Sequence, residues 1–82
     1  MTSEANTADQ KAVTMGRRIA SRRALLGLNQ ADMAGRVGIS AERLSAIEND
    51  RVRDIMSSTL TGIARELGVT ETWILRGDPV AA

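Results

Sequence analysis

The chain has no cysteine, no histidine, no tyrosine and no phenylalanine, and only one proline and one tryptophan in 82 residues. Without cysteine there is no disulfide framework and no thiolate metal site. Without histidine there is no imidazole ligand, so a zinc centre and histidine-based acid–base chemistry are both excluded. No apolar run approaches the 18 or so residues of a membrane span, and no signal-peptide core is present, so the expectation is a soluble protein with no membrane partner. A cysteine-free chain fits a reducing cytoplasm. Aromatic content is 1%, Trp73 alone, so any core is built from Leu, Ile, Val, Met and Ala, a palette that favours helices over strands.

What is present suffices for one small domain, since 43% of the residues are hydrophobic. Net charge is +1 overall. All eleven basic residues but only eight of the ten acidic ones lie from Lys11 onward, Glu4 and Asp9 preceding it, so that part carries +3. Arginines cluster at Arg17, Arg18, Arg22 and Arg23, and again at Arg51 and Arg53. Such clusters read either as solvated helix faces or as an electrostatic footprint for a polyanion.

Residues 1–11 are small, polar and aperiodic and read as a flexible tail, 12–78 as the folded domain and 79–82 as a short C-terminal tail. A first helix is expected from Val13 to Leu26, closed by Gly27. A second is expected from Gln30 to Val37, burying Met33, Ala34 and Val37, and a third from Ala41 to about Asn49. Asp50 to Met56 is charged, aperiodic and a loop. Ser57 or Ser58 is placed to cap a fourth helix in which Leu60, Ile63, Ala64 and Leu67 recur at helical spacing up to Gly68. Thr70 is placed to cap a short fifth helix carrying Trp73, Ile74 and Leu75. The expected fold is therefore all-α, with five short helices sharing one core because none can bury its apolar stripe alone.

The segment from Leu28 to Asn49 is the most informative. Asn29 is an N-cap, Asp32 puts an acid in the first turn, Gly38 is a left-handed C-cap, and Ser40 caps the next helix at once. Two helices joined by so short a turn cross steeply, and the second projects outward. This is the sequence form of a helix-turn-helix. On a wheel of about 100° per residue, Leu44, Ile47 and Glu48 share one side of the third helix, and Glu42, Ala46 and Asn49, flanked by Arg43 and Ser45, share the other.

The run Ile19, Arg23, Gly27 to Ala31, Met33-Ala34, Val37 to Ser40, Leu44, Ile47 to Asn49, continued by Leu60, Ile63-Ala64, Leu67 to Val69, Trp73 to Leu75 and Gly77, resembles the Cro/C1-type (XRE) helix-turn-helix family. It is similar in particular to the DNA-binding domains of lambdoid phage repressors, over roughly residues 13–78. The resemblance implies a compact five-helix lambda-repressor-like domain whose third helix enters a major groove. The family's base-reading positions fall on Ala41, Glu42 and Ala46, with Arg43 and Ser45 on the flanks. The alanines depart from relatives that carry long polar groups there, and an alanine can touch only a thymine methyl. Glu42 is suited to a cytosine amino group or to pairing with a nearby arginine. Arg43 is suited to guanine or, equally, to phosphate.

The resemblance also implies that Gln30 clamps the DNA backbone, with Asn29 assisting beside its main role as an N-cap, and that Asn49, Arg51 and Arg53, at and just beyond the end of the third helix, contact backbone or minor groove. Asp50 stands where many relatives have glycine. Arg23 and Glu48 match a structural ion pair of the family, and Trp73 reads as core. No phosphate loop, nucleophile–base pair or free carboxylate pair points to an enzyme, and no cofactor or metal is implied. The expected function is sequence-specific binding of double-stranded DNA by a transcriptional regulator, a phage- or prophage-type repressor. By resemblance, a homodimer joined through the fifth helix or the C-terminal tail would bind a palindromic operator in a bacterial cytoplasm, at the nucleoid. Larger repressors of the family carry a separate C-terminal oligomerisation or sensor domain, so this region would act alone or rely on a partner for that role. The alternative is a protein-interaction module of the same fold, such as an antitoxin component or adaptor. It is favoured if Glu42, Asp50 and Asp54 neutralise Arg43, Arg51 and Arg53.

Overall fold

The computed structural model describes residues 14–78. The two tails, and Ala12 and Val13, lie outside the described residues. Within them the chain forms five helices and no strand: α1 Met15–Leu25, α2 Gln30–Val37, α3 Ala41–Glu48, α4 Ser57–Leu67 and α5 Glu71–Arg76.

Local chemistry sets most of these boundaries. Thr14, Asn29, Ser40 and Thr70 are extended residues whose side-chain oxygens accept from the N–H groups of Arg17 (3.1 Å), Asp32 (2.7 Å), Arg43 (3.0 Å) and Trp73 (2.9 Å). Each bond satisfies an amide that the first helical turn leaves without an intrahelical partner. The expected first helix therefore loses both ends, since Thr14 caps it at Met15 and Leu26 is its C-cap. The fourth helix departs from expectation too. Ser57 already lies inside it, and its N-cap is Met56, which has no side-chain oxygen and makes no capping bond. Between α2 and α3 the chain reverses at Gly38, with φ 90°. The N–H groups of Gly38 and Ile39 both donate to Ala34 O, at 2.8 and 3.0 Å, and α3 begins two residues later.

Every helix contributes to one core: Ile19 from α1, Met33 and Ala34 from α2, Leu44 and Ile47 from α3, Leu60, Ile63, Ala64 and Leu67 from α4, and Ile74 from α5. Burying each of the larger side chains is worth about 1.5–3 kcal/mol. Val37 and Trp73 pack on the margin of this core, half-buried. Leu25 and Leu26 at the end of the first helix, and Leu75, expected in the fifth, lie at the surface instead, 74%, 44% and 50% exposed. They fall at the carboxy-terminal ends of α1 and α5, where the packing of the other helices leaves them largely uncovered.

The first arginine cluster is neither a solvated face nor a free cationic patch. Arg18 is buried and donates from Nε to Ile74 O (2.8 Å) and from an Nη to Leu75 O (3.0 Å), while Arg22 Nε donates to Leu67 O (3.0 Å). Two arginines one turn apart on α1 thus satisfy carbonyls that the ends of α5 and α4 leave open, where the helix dipole also favours a cation. Arg23 is taken up by Glu48. Only Arg17 of the four is a plainly exposed residue.

Gly35 offers a clean stability test. It sits in the middle of α2, exposed, and a Cβ built there meets nothing within 4 Å. Gly35→Ala is expected to stabilise the domain by about 0.8–1 kcal/mol from helix propensity alone. For a domain of this size that is a rise in melting temperature of about 3–8 °C, measurable by circular dichroism.

Candidate nucleic-acid interface

The outward side of α3 is set by what its inward side must do. Leu44 and Ile47 are fully buried, and Glu48 is 3% exposed. Ala41, Glu42 and Arg43 are therefore exposed in the first turn, Ser45 and Ala46 are half-buried on the flank, and Asn49 is exposed at the end. Asn49 is the C-cap of α3 and turns its amide back, donating from Nδ2 to Ser45 O (2.8 Å) and to Ser45 Oγ (3.3 Å).

Behind this face lies a charged network that joins three helices. The Arg23 guanidinium on α1 forks onto the Glu48 carboxylate, Nε to Oε2 at 2.6 Å and Nη2 to Oε1 at 2.9 Å, and Nη1 donates to Leu28 O at 2.8 Å. Gln30, the first residue of α2, donates from Nε2 to Glu48 Oε1 at 2.9 Å. The Arg23 pKa is raised, chiefly by its hydrogen bond to Glu48 and further by that residue's charge, with burial acting in opposition. Gln30 thus holds the start of α2 against the end of α3 through the buried acid, an involvement that local spacing does not reveal. Asn29 spends its Oδ1 on capping α2.

Arg43, Arg51 and Arg53 are exposed, and no described residue forms an ion pair with any of them. Glu42 and Asp54 are likewise exposed and unpaired among the described residues. Asp50, the third acid of the region, faces α1, where its carboxylate accepts from Thr14 Oγ1 (2.7 Å) and from Gly16 N (3.1 Å). The acids of this region do not pair with its arginines, so among the described residues the cations beyond α3 are not held in ion pairs. The described residues contain no group of His, Cys, Asp and Glu arranged to hold a metal ion, and no helix long and apolar enough to cross a membrane.

A family model described as a helix-turn-helix domain matches residues 16–78. The chain belongs to this family. Among solved structures it is similar to the P22 c2 repressor protein in complex with a synthetic operator, with a TM-score of 0.76 and 29% identity, over 79% of this chain and 97% of that one. It also shares the fold of the N-terminal DNA-binding domain of SinR from Bacillus subtilis, with a TM-score of 0.69 and 23% identity, over 73% of this chain and 87% of that one. The expected five-helix, lambda-repressor-like architecture is the one observed, and family and fold are those of DNA-binding regulators rather than enzymes.

Proposed function

We propose that this helix-turn-helix domain is the sequence-reading part of a phage-type repressor that occupies a palindromic operator as a homodimer. The observation that carries this reading is the likeness to an operator-bound repressor over nearly the whole of that chain. In support, Ala41, Glu42 and Arg43 of α3 are exposed, and the helix is followed by Arg51 and Arg53, which are exposed and form no ion pair with a described residue. In this reading α3 lies in the major groove, where Ala41, Glu42, Arg43, Ser45 and Ala46 meet base edges. Gln30, Arg51 and Arg53 meet phosphates, with the uncommitted Nδ2 of Asn29 beside them, whereas Asn49, whose amide is turned back onto Ser45, would have to release that bond to reach one. Two recognition helices about 34 Å apart would fit half-sites one helical turn apart.

The amino terminus of α2 suits a phosphate because its first amides point outward and the helix dipole favours an anion. Gln30 donates from its amide to Glu48, which fixes its position through Arg23, and its second N–H is left for that phosphate. With two alanines on the reading face, sequence preference falls mainly on Glu42 and Arg43, since each well-formed bidentate contact contributes about 1–3 kcal/mol of discrimination.

The test is selection from a random duplex pool at low and moderate salt, followed by affinity measurements on the enriched site. An inverted repeat should emerge. Arg51→Ala and Arg53→Ala should each weaken binding to all sequences alike and flatten the plot of log K against log salt by about 0.9. Arg43→Ala should instead relax the preference at one base pair of each half-site. Absence of duplex binding at either salt would move the assignment to a protein-binding module.

A further inference from the structure

Asp50 is the one described residue other than glycine with a positive φ, 61°. This left-handed conformation is costly for most side chains but is tolerated by Asp and Asn. It follows directly on the C-cap of α3 and precedes Arg51 and Arg53. Both of its carboxylate oxygens are engaged, Oδ2 by the Thr14 hydroxyl and Oδ1 by the Gly16 amide in the first turn of α1. The acid therefore plays two roles. It pins the start of the arginine segment to α1 across more than thirty residues of sequence, and it supplies an anion at the positive end of that helix. Both of its partners are neutral, and no described cation pairs with it. A full negative charge is thus left in a segment whose next residue, and the one two beyond that, are exposed arginines.

From this arrangement we infer that Asp50 is a positioning residue that also limits the strength of phosphate binding, cancelling much of one arginine's attraction for DNA as the cost of fixing the segment's path. The inference rests on the reading of Arg51 and Arg53 as phosphate contacts. Asn is the informative replacement. It tolerates the same φ, its carbonyl can accept from Gly16 N, and its amide can donate to Thr14 Oγ1, so the tether survives while the charge goes.

The experiment compares the full chain with Asp50→Asn, Asp50→Gly and, as a control acid on α5, Glu71→Gln. It uses melting curves and titrations onto duplex DNA at about 50 and 200 mM salt. Gly accepts the backbone conformation but cannot hold the tether. Asp50→Asn is expected to melt with the parent and to bind duplex DNA several-fold more tightly at the lower salt. That advantage should shrink about three-fold at the higher salt, the change expected when one phosphate-neutralising cation is released. Asp50→Gly is expected to lose the shared melting point but to keep the weaker salt tolerance of a more cationic surface, and Glu71→Gln to leave duplex affinity unchanged. Equal affinity of the parent, Asp50→Asn and Glu71→Gln would overturn the inference while leaving DNA binding intact. A parent that binds no duplex would overturn it together with the functional reading. A fall in affinity of Asp50→Asn with unchanged melting would show that the charge assists binding, and would overturn it alone.

Discussion

Glu48→Ala is expected to lose about 3–5 kcal/mol of stability, the usual cost of removing one partner from a buried ion pair. Stability of about 0.05–0.15 kcal/mol per residue gives a domain of this length only several kcal/mol in total, so the variant should be largely unfolded at 37 °C. The magnitude follows from what is stranded. Arg23, 16% exposed, would keep only the Leu28 carbonyl. Gln30 would lose the acceptor that orients it. The folded arginine has a raised pKa because Glu48 binds its charged form. A raised pKa contributes stability that is complete below the ordinary arginine value and is lost only as pH climbs through the folded one. The arginine's side of the pair therefore gives no pH dependence near neutrality, and urea midpoints compared at pH 7 measure the loss directly. Glu48→Gln, which retains an acceptor and the shape, should fall well short of the alanine variant. The double change Arg23→Met with Glu48→Leu should recover most of the stability, because a packed apolar pair removes both desolvated charges. Full stability of Glu48→Ala would mean that the network contributes orientation only.

The turn between α2 and α3 was legible in the sequence because its determinants are local. Asn29, Ser40 and Thr70 each act on an amide three residues away, Gly38 acts on its own backbone, and Leu60 to Leu67 repeat within one helix. The features that escaped are those whose partners are distant. Arg18 and Arg22 look like members of a basic cluster, and nothing nearby signals that they end on carbonyls 45 to 57 residues away. Asp50 marks itself only by standing where glycine is common, and its partners lie 34 and 36 residues earlier. The exposed ends of α1 and α5 mislead for the complementary reason. Leu25 and Leu75 keep helical periodicity, but burial depends on whether another helix extends far enough to cover them. For the candidate site, position on the wheel placed Glu42, Arg43 and Asn49 at the surface but not Ala46, which is half-buried, and the tie from Gln30 to Glu48 depends on how α2 meets α3 in space.

Gly16→Ala separates the two kinds of information most sharply, because local and tertiary reasoning predict opposite signs. In the first turn of a helix, alanine for glycine should stabilise by up to about 1 kcal/mol. Here, however, the amino terminus of α1 lies directly on the end of α3. A Cβ on Gly16 would stand 2.7 Å from Glu48 O and 2.7 Å from Asp50 Oδ1, and closer still to the carbonyl of Ile47. Two of these three neighbours are backbone, which cannot rotate aside as a side chain can. Relief therefore requires α1 to lift away from α3, loosening Ile19 from the core and the Gly16 amide from Asp50. Overpacking typically costs about 1–3 kcal/mol, and a collision with backbone belongs at the upper end or beyond. At about 4–8 °C per kcal/mol, a loss near 3 kcal/mol lowers the melting temperature by roughly 12–24 °C. Gly35→Ala is the internal control, the same substitution in a helix with nothing near the new methyl. If both variants melt above the parent, the contact between α1 and α3 is looser than the geometry requires. If they diverge in sign, close approach is what glycine provides at position 16, and the end of α3 is held in place by the absence of a side chain.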